Sequence, residues 1–295
     1  MQMVISLRRG GAGLAVDETG AELVSYVRDG AEFVWSGDPA VWSGHAPVLF
    51  PIVGALRDDT VRIGGTVCHM KRHGFARRSR FTRLPAGENS LAFELVPTDD
   101  TRRQYPFEFR LRITHTLTED GFATAYEVRN EDSRPMPFAL GGHQSIRCPL
   151  REGESFGDYE VVFGEAEEHP AMILDQTGLV APHSRVPVLA PDGRTLPLRY
   201  ETFDRDALIF PHIRSRRVTL RAREGGASVT MRFDGFCDFG IWTPTGKQAP
   251  FICLEPWQGM AAVAGETGRF EDKPDIVTLA PGEIYRAGYR VDVKL

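Results

Sequence analysis

The chain has 295 residues, 42% of them hydrophobic and 25% charged, with a formal net charge of −5. This composition can bury a core, and its weak negative balance excludes a general attraction to nucleic acid or anionic membranes. Positive charge is almost all arginine, because lysine occurs only at Lys71, Lys247, Lys273 and Lys294; a GC-rich coding bias accounts for this without a functional cause.

In chain order, LAVDETGAELVSYV places two alternating runs about a Gly-bearing turn, the pattern of a hairpin. VRIGGTVCH repeats the device, and Leu91, Phe93 and Leu95 predict a further strand. A short helical turn is expected near Asp99–Tyr105. Next, Phe107, Phe109, Leu111, Ile113 and Leu117 share one face of a strand, with Arg110, Arg112, Thr114 and Thr116 on the other. The turn Glu119-Asp120-Gly121 leads into Phe122, Thr124, Tyr126 and Val128, so the two runs predict an antiparallel hairpin. Tyr159, Val161 and Phe163, then VTLRAREGGASVTMRF, and finally Tyr285 to Val293 add strands to the C-terminus. No segment carries a sustained helical period, and 30 glycines and 20 prolines suit many turns. The expectation is an all-β fold, a large antiparallel β-sandwich, with residues 1–295 as one domain.

Cys68, Cys148, Cys237 and Cys253 are scattered without a C-x-x-C pair, which predicts reduced, mostly buried thiols. The N-terminal MQMVISLRRGGAG lacks the apolar core of a signal peptide, and no apolar run approaches the ~18 residues of a membrane span. A cytoplasmic protein with no membrane or nucleic-acid partner is expected.

Several kinds of chemistry fall away. GHQS is not a G-x-S-x-G elbow, and no P-loop or G-x-G-x-x-G lies between a strand and a helix. His69 and His73 have the four-residue spacing of a helical metal pair, but the strand pattern before them and Gly74 after them argue against a helix, and further ligands are not apparent. Four polar positions stand out by their surroundings: His73 before Gly-Phe, His143 after Leu-Gly-Gly, Asp206 opening Asp-Ala-Leu-Ile-Phe, and Glu255 inside Phe-Ile-Cys-Leu-Glu-Pro-Trp. A carboxylate ending an apolar run is partly desolvated, which raises its pKa and makes it a better base near neutrality. Taken singly, each histidine reads first as a satisfied structural residue, and Glu255 reads as well as a strand-end carboxylate pinned by arginine. Histidine with a carboxylate is the minimum equipment for paired acid–base chemistry.

The stretches APVLFPIVGALRDDTVRIGGTVCHMKRHGFAR, FALGGHQSIRCPL, DRDALIF, FGIWTPTGKQAPFICLEPWQGMA and DKPDIVTLAPGEIYRAGY follow one another from Ala46 towards the C-terminus. With HGFAR, GGH and EPW at these separations, the chain resembles the aldose 1-epimerase (galactose mutarotase) superfamily, in particular its LacX-like and hexose-6-phosphate mutarotase-like branches. Lys71-Arg72 before HGFAR and Ala261-Ala262 after EPWQGM depart from the family's usual residues, and both bear on the rim and the preferred sugar. The resemblance implies the galactose mutarotase-like supersandwich and interconversion of aldose anomers on a free or phosphorylated sugar, without cofactor or metal, by a monomer or homodimer. It implies Glu255 and His143 as the catalytic base and acid. Substrate binding would fall to His73, Asp206, Arg57 and Arg77, with Trp242 and Trp257 as an apolar wall. On this reading His73 ends a strand beside Arg77, while Arg72, Arg78, Arg80 and Arg83 are solvated. A non-catalytic sugar-binding or sensor protein on the same fold is the alternative. A lyase or glycosidase is the third reading, although hydrolysis calls for two close carboxylates and one strong candidate is apparent.

Overall fold

The computed structural model describes residues 3–294. Period-two alternation becomes antiparallel pairing along the chain. In Phe109–Leu117 every odd-numbered residue is buried, and the returning strand Gly121–Asn130 sets Phe122 opposite Leu117 and Asn130 opposite Phe109. All three predicted Gly-turn hairpins form: Ala12–Asp17 with Glu22–Arg28, Thr60–Ile63 with Thr66–His69, and Arg217–Ala222 with Ser228–Asp234. The helical turn is Asp99–Gln104, started by Thr98, whose side chain accepts the Thr101 backbone N–H.

Nine strands make one large sheet, in the order Thr195–Pro197, Tyr159–Phe163, Arg217–Ala222, Ser228–Asp234, Ile284–Lys294, Gly121–Asn130, Phe109–Leu117, Ser90–Leu95 and Thr82–Leu84. A second runs Val180–Val186, Ala171–Leu174, Leu208–Phe210, Asp238–Trp242, Phe251–Gln258, Leu140–Gly142 and Val48–Leu49, with Gln144–Arg147 also paired to Phe251–Gln258. The two sheets share one aromatic-rich layer. Phe163 of the first lies 4.8 Å from Phe210 of the second, Phe233 lies 5.1 Å from Phe239, and the Tyr289 hydroxyl donates to Gln144 Oε1 across the gap. This is the expected antiparallel sandwich. An N-terminal meander, Val4–Arg9, Ala12–Asp17, Glu22–Arg28 and Ala31–Glu32, adds Leu14, Val16, Leu23 and Tyr26 to the same core.

The second sheet is covered on both faces, as the near-continuous burial of Phe251–Gln258 shows. Ile252 and Leu254 enter the main core, while Phe251, Cys253 and Trp257 belong to smaller apolar clusters on the face turned away from it. Strand alternation therefore assigns Glu255 to that outer face, and there a cavity opens. No helix of the described residues is long and apolar enough to cross a membrane.

Candidate active site

Strand register brings the first pair together. Gly141 stands opposite Trp257 and Gln144 opposite Leu254, so counting inward sets His143 against Glu255. The ladder breaks there, at the level of Pro256, which has no N–H to donate. Cross-strand neighbours project to the same face. His143 Nε2 lies 3.3 Å from Glu255 Oε1, with side chains 8% and 1% exposed, so the contact is closed to bulk water. Trp42 stacks on the His143 ring at 5.2 Å and 26°, and Trp242 meets its edge at 5.5 Å. The imidazole is thereby held in one orientation.

His73 arrives from a different element. It sits in a turn beyond Thr66–His69 rather than at the end of that strand, with φ at +68°. Two hydrogen bonds fix it: the His73 N–H donates to Gly54 O at 2.8 Å, and the Gly54 N–H donates to His73 Nδ1 at 3.1 Å. Gly54 must be glycine, since it takes φ +68° and a Cβ there would lie 2.3 Å from the Ala261 methyl. Two residues on, Phe75 packs against Phe50, Tyr105 and Phe109 at 5.9–6.4 Å and anchors the turn in the core. With Nδ1 accepting, neutral His73 carries its proton on Nε2. Its ring meets that of His143 edge to face at 5.7 Å.

The cavity, of about 140 Å³, is lined by both histidines and Glu255, by Arg72, Arg77 and Asp206, and by Trp42, Trp242 and Trp257. Trp257 lies flat across two glycines on neighbouring strands: a Cβ on Gly240 would come within 2.4 Å of its ring and one on Gly141 within 2.7 Å. At the mouth, Arg72 Nη1 donates to Asp206 Oδ2 at 3.3 Å. Arg77 is half-buried, and no hydrogen bond or ion pair engages its guanidinium among the described residues.

Five of the six expected site residues converge here: His73, Arg77, His143, Asp206 and Glu255. Arg57 does not. It is exposed in the turn Arg57–Asp59 and faces Asp175, outside the lining of the cavity. Arg72 is exposed, as expected, yet it reaches the mouth of the cavity, where it pairs with Asp206. Arg78, Arg80 and Arg83 are exposed as expected, Arg80 pairing with Glu18 at 3.0 Å. Trp42 went unnoticed, since nothing in VWSGDPAVWSG signals a ring that will lie on a distant histidine. His69 is exposed and bonded to Thr60, so it forms no metal pair with His73.

Electrostatics set the site apart. Burial pushes the Glu255 carboxyl well above the usual carboxylate range, and Asp206 adds to the effect; the Trp257 indole, Arg77 and Arg72 oppose it. Burial takes the His143 imidazole down to about 3, with Arg77 acting in the same direction. His73 is held well below 6.5 by burial, then by His143 and the neighbouring arginines. Buried polar groups are nearly always hydrogen-bonded, yet His143 Nδ1 has no hydrogen-bond partner among the described residues, and Glu255 Oε1 has only its 3.3 Å contact with His143 Nε2. His143, Cys253 and Glu255 also place donor atoms within 4.8 Å of one another. Burial keeps the Cys253 thiol protonated, and the same burial favours a protonated Glu255, so the trio is poorly suited to a cation.

Comparison with known proteins agrees with this geometry. A family model described as aldose 1-epimerase matches residues 3–292. Protein LacX, plasmid, of Lactococcus lactis subsp. lactis is 34% identical over 302 residues, covering 99% of each chain. The crystal structure of a galactose mutarotase related enzyme from Lactobacillus acidophilus superposes with a TM-score of 0.91 at 30% identity, over 99% of this chain and 97% of that one. A galactose mutarotase-like protein from Lactobacillus casei gives 0.89 at 31% identity, over 99% and 100%.

Proposed function

The chain belongs to the aldose 1-epimerase family, a family of isomerases acting on sugars, and on that premise we propose that its cavity interconverts the α and β anomers of an aldohexose or its 6-phosphate. The observation that carries this reading is the buried His143–Glu255 contact at 3.3 Å, with His143 Nδ1 left without a hydrogen-bond partner among the described residues. A binding module needs hydrogen-bond donors and acceptors, but it has no need of a desolvated acid against a desolvated base.

The chemistry follows from the hydroxyl and ring oxygens being attached to the same carbon. Glu255 takes the proton of the C1 hydroxyl while His143 protonates the ring oxygen O5, and the C1–O5 bond opens to the aldehyde. The C1–C2 bond rotates. Reclosure then occurs on the opposite carbonyl face, with His143 taking the O5 proton back and Glu255 returning one to O1. Opening converts carboxylate and imidazolium into carboxylic acid and imidazole, and closure reverses it, so the pair holds one proton throughout. Burial disfavours both charged forms, so the uncharged arrangement of the open-chain stage is the one this environment stabilises. General acid–base help of this type is worth about 10²–10⁴-fold per group. His73, neutral with Nε2–H as donor, would hold the ring oxygen's side of the sugar, and Asp206 a ring hydroxyl. Trp242 and Trp257 would cover its C–H face. Arg77 would bind a further oxygen or a phosphate, the role first expected of it together with Arg57.

Polarimetry of freshly dissolved single anomers tests the proposal, across free hexoses and their 6-phosphates. Acceleration above the buffer rate for at least one of them is expected. Saturable binding of these sugars with no rate increase would place the protein among the binders instead.

A further inference from the structure

A second group of ligand-type side chains lies behind Trp257 and does not line the cavity. Asp238 opens the strand Asp238–Trp242 directly opposite Trp257. One ring nitrogen of His212, a carboxylate oxygen of Asp238 and one of Asp275 all lie within 4.8 Å of one another, and His212 Nδ1 is 3.6 Å from Asp275 Oδ1. Asp238 is fully buried. Its Oδ1 accepts the His212 backbone N–H at 3.0 Å, while Oδ2, also out of reach of solvent, has no partner. Neither carboxylate pairs with a lysine or arginine among the described residues; the one ion-pair contact is that of Asp275 with His212.

Two carboxylates this close, one of them desolvated, repel, and either a proton on one of them or a cation between them relieves the repulsion. One imidazole nitrogen with two carboxylate oxygens suits zinc or manganese better than magnesium or calcium, which favour oxygen alone. Donors at about 2.0–2.2 Å from a common zinc ion sit at most roughly 4.4 Å apart, so small side-chain rotations complete the set. We propose that His212, Asp238 and Asp275 bind one divalent cation of the Zn²⁺ or Mn²⁺ kind. The ion would join the turn after Leu208–Phe210, the head of Asp238–Trp242 and the segment leading to Ile276. It would thereby stiffen the strand pair that carries Trp257.

The test uses the tag-free full chain, stripped with chelator and then titrated calorimetrically with Zn²⁺, Mn²⁺ and Mg²⁺, with metal content measured after dialysis. One equivalent of Zn²⁺ or Mn²⁺ in preference to Mg²⁺ is expected, together with a raised Tm. His212→Ala, at an exposed position, and Asp275→Asn, at a half-buried one, should each weaken binding by more than about tenfold. Asp238→Asn, which keeps the oxygen that caps His212, should do the same. Glu255→Gln serves as the control for the cavity trio and should bind as wild type does. The proposal is overturned if wild type binds neither Zn²⁺ nor Mn²⁺. Binding that survives His212→Ala and Asp275→Asn, or disappears in Glu255→Gln, overturns it equally.

Discussion

Adding a single methyl group at Gly240 should disable the cavity without touching an acid, a base or an arginine. Gly240 pairs with Glu255 in the middle of the second sheet, and its missing side chain is the space that the Trp257 indole fills. A Cβ there would lie 2.4 Å from Cζ2, 2.5 Å from Cη2 and 3.0 Å from Cε2 of that ring. Retreat is blocked on the other side, where Gly141 brings its own backbone up to Cδ1 and Leu49 follows. The indole must therefore swing outward, into a cavity of about 140 Å³. Overpacking of this type costs about 1–3 kcal/mol, and an ångström-scale shift at a reacting centre costs on the order of 10²-fold in rate. Gly240→Ala is accordingly expected to fold with an unfolding free energy, measured by urea titration, lowered by that amount, and to lose about 10²-fold in kcat/KM for anomer exchange. Gly87→Ala, where nothing lies within 4 Å of the added methyl, is the control and should move stability by less than about 0.5 kcal/mol. If Gly240→Ala matches Gly87→Ala in both stability and activity, the indole does not need that glycine, and the packing argument for the cavity wall is wrong.

Arg77→Ala should lower kcat/KM for glucose 6-phosphate by about ten- to a hundredfold, the worth of one charge-assisted hydrogen bond, and for glucose several-fold at most; an equal loss on both sugars would mean that Arg77 grips a neutral hydroxyl. Acid should destabilise the fold through His115, which is buried between the Thr124 hydroxyl and the Ala21 carbonyl and whose pKa falls from 6.5 to about 4. The unfolded chain then binds the extra proton first, so this stability is fully present above 6.5 and is lost as pH falls towards 4, by about 3 kcal/mol; urea titrations of His115→Gln between these limits should show a shallower pH dependence than wild type, and an unchanged slope would remove His115 as a source.

How much of this was legible beforehand depends on the range of the interaction. Alternation and Gly-bearing turns are local, so the hairpins at 12–28, 60–69 and 217–234 and the sandwich they imply could be read directly. Convergence is not local. His143 and Glu255 are 112 positions apart, and only the register that sets Gly141 opposite Trp257 puts them in contact; GGH and EPW marked the residues, not their meeting. The arginines show the opposite failure. Arg57 and Arg72 are both basic residues near an apolar run, and which one faces the cavity is decided by the His73 turn, a conformation at positive φ that no side-chain pattern announces. Trp42 was invisible for the same reason, since stacking on a ring from another element leaves no periodic trace.

The central claim, that Glu255 and His143 together move the protons of ring opening, is tested most directly by magnetisation exchange between the anomeric protons of the best substrate, with wild type and Glu255→Gln compared at equal concentration. Glutamine keeps the shape and one oxygen of the side chain but cannot take the hydroxyl proton. The account predicts exchange in wild type well above buffer, and in Glu255→Gln a rate lower by about 10²–10⁴-fold with the folded spectrum unchanged. A Glu255→Gln protein that retains most of the wild-type exchange rate would contradict it.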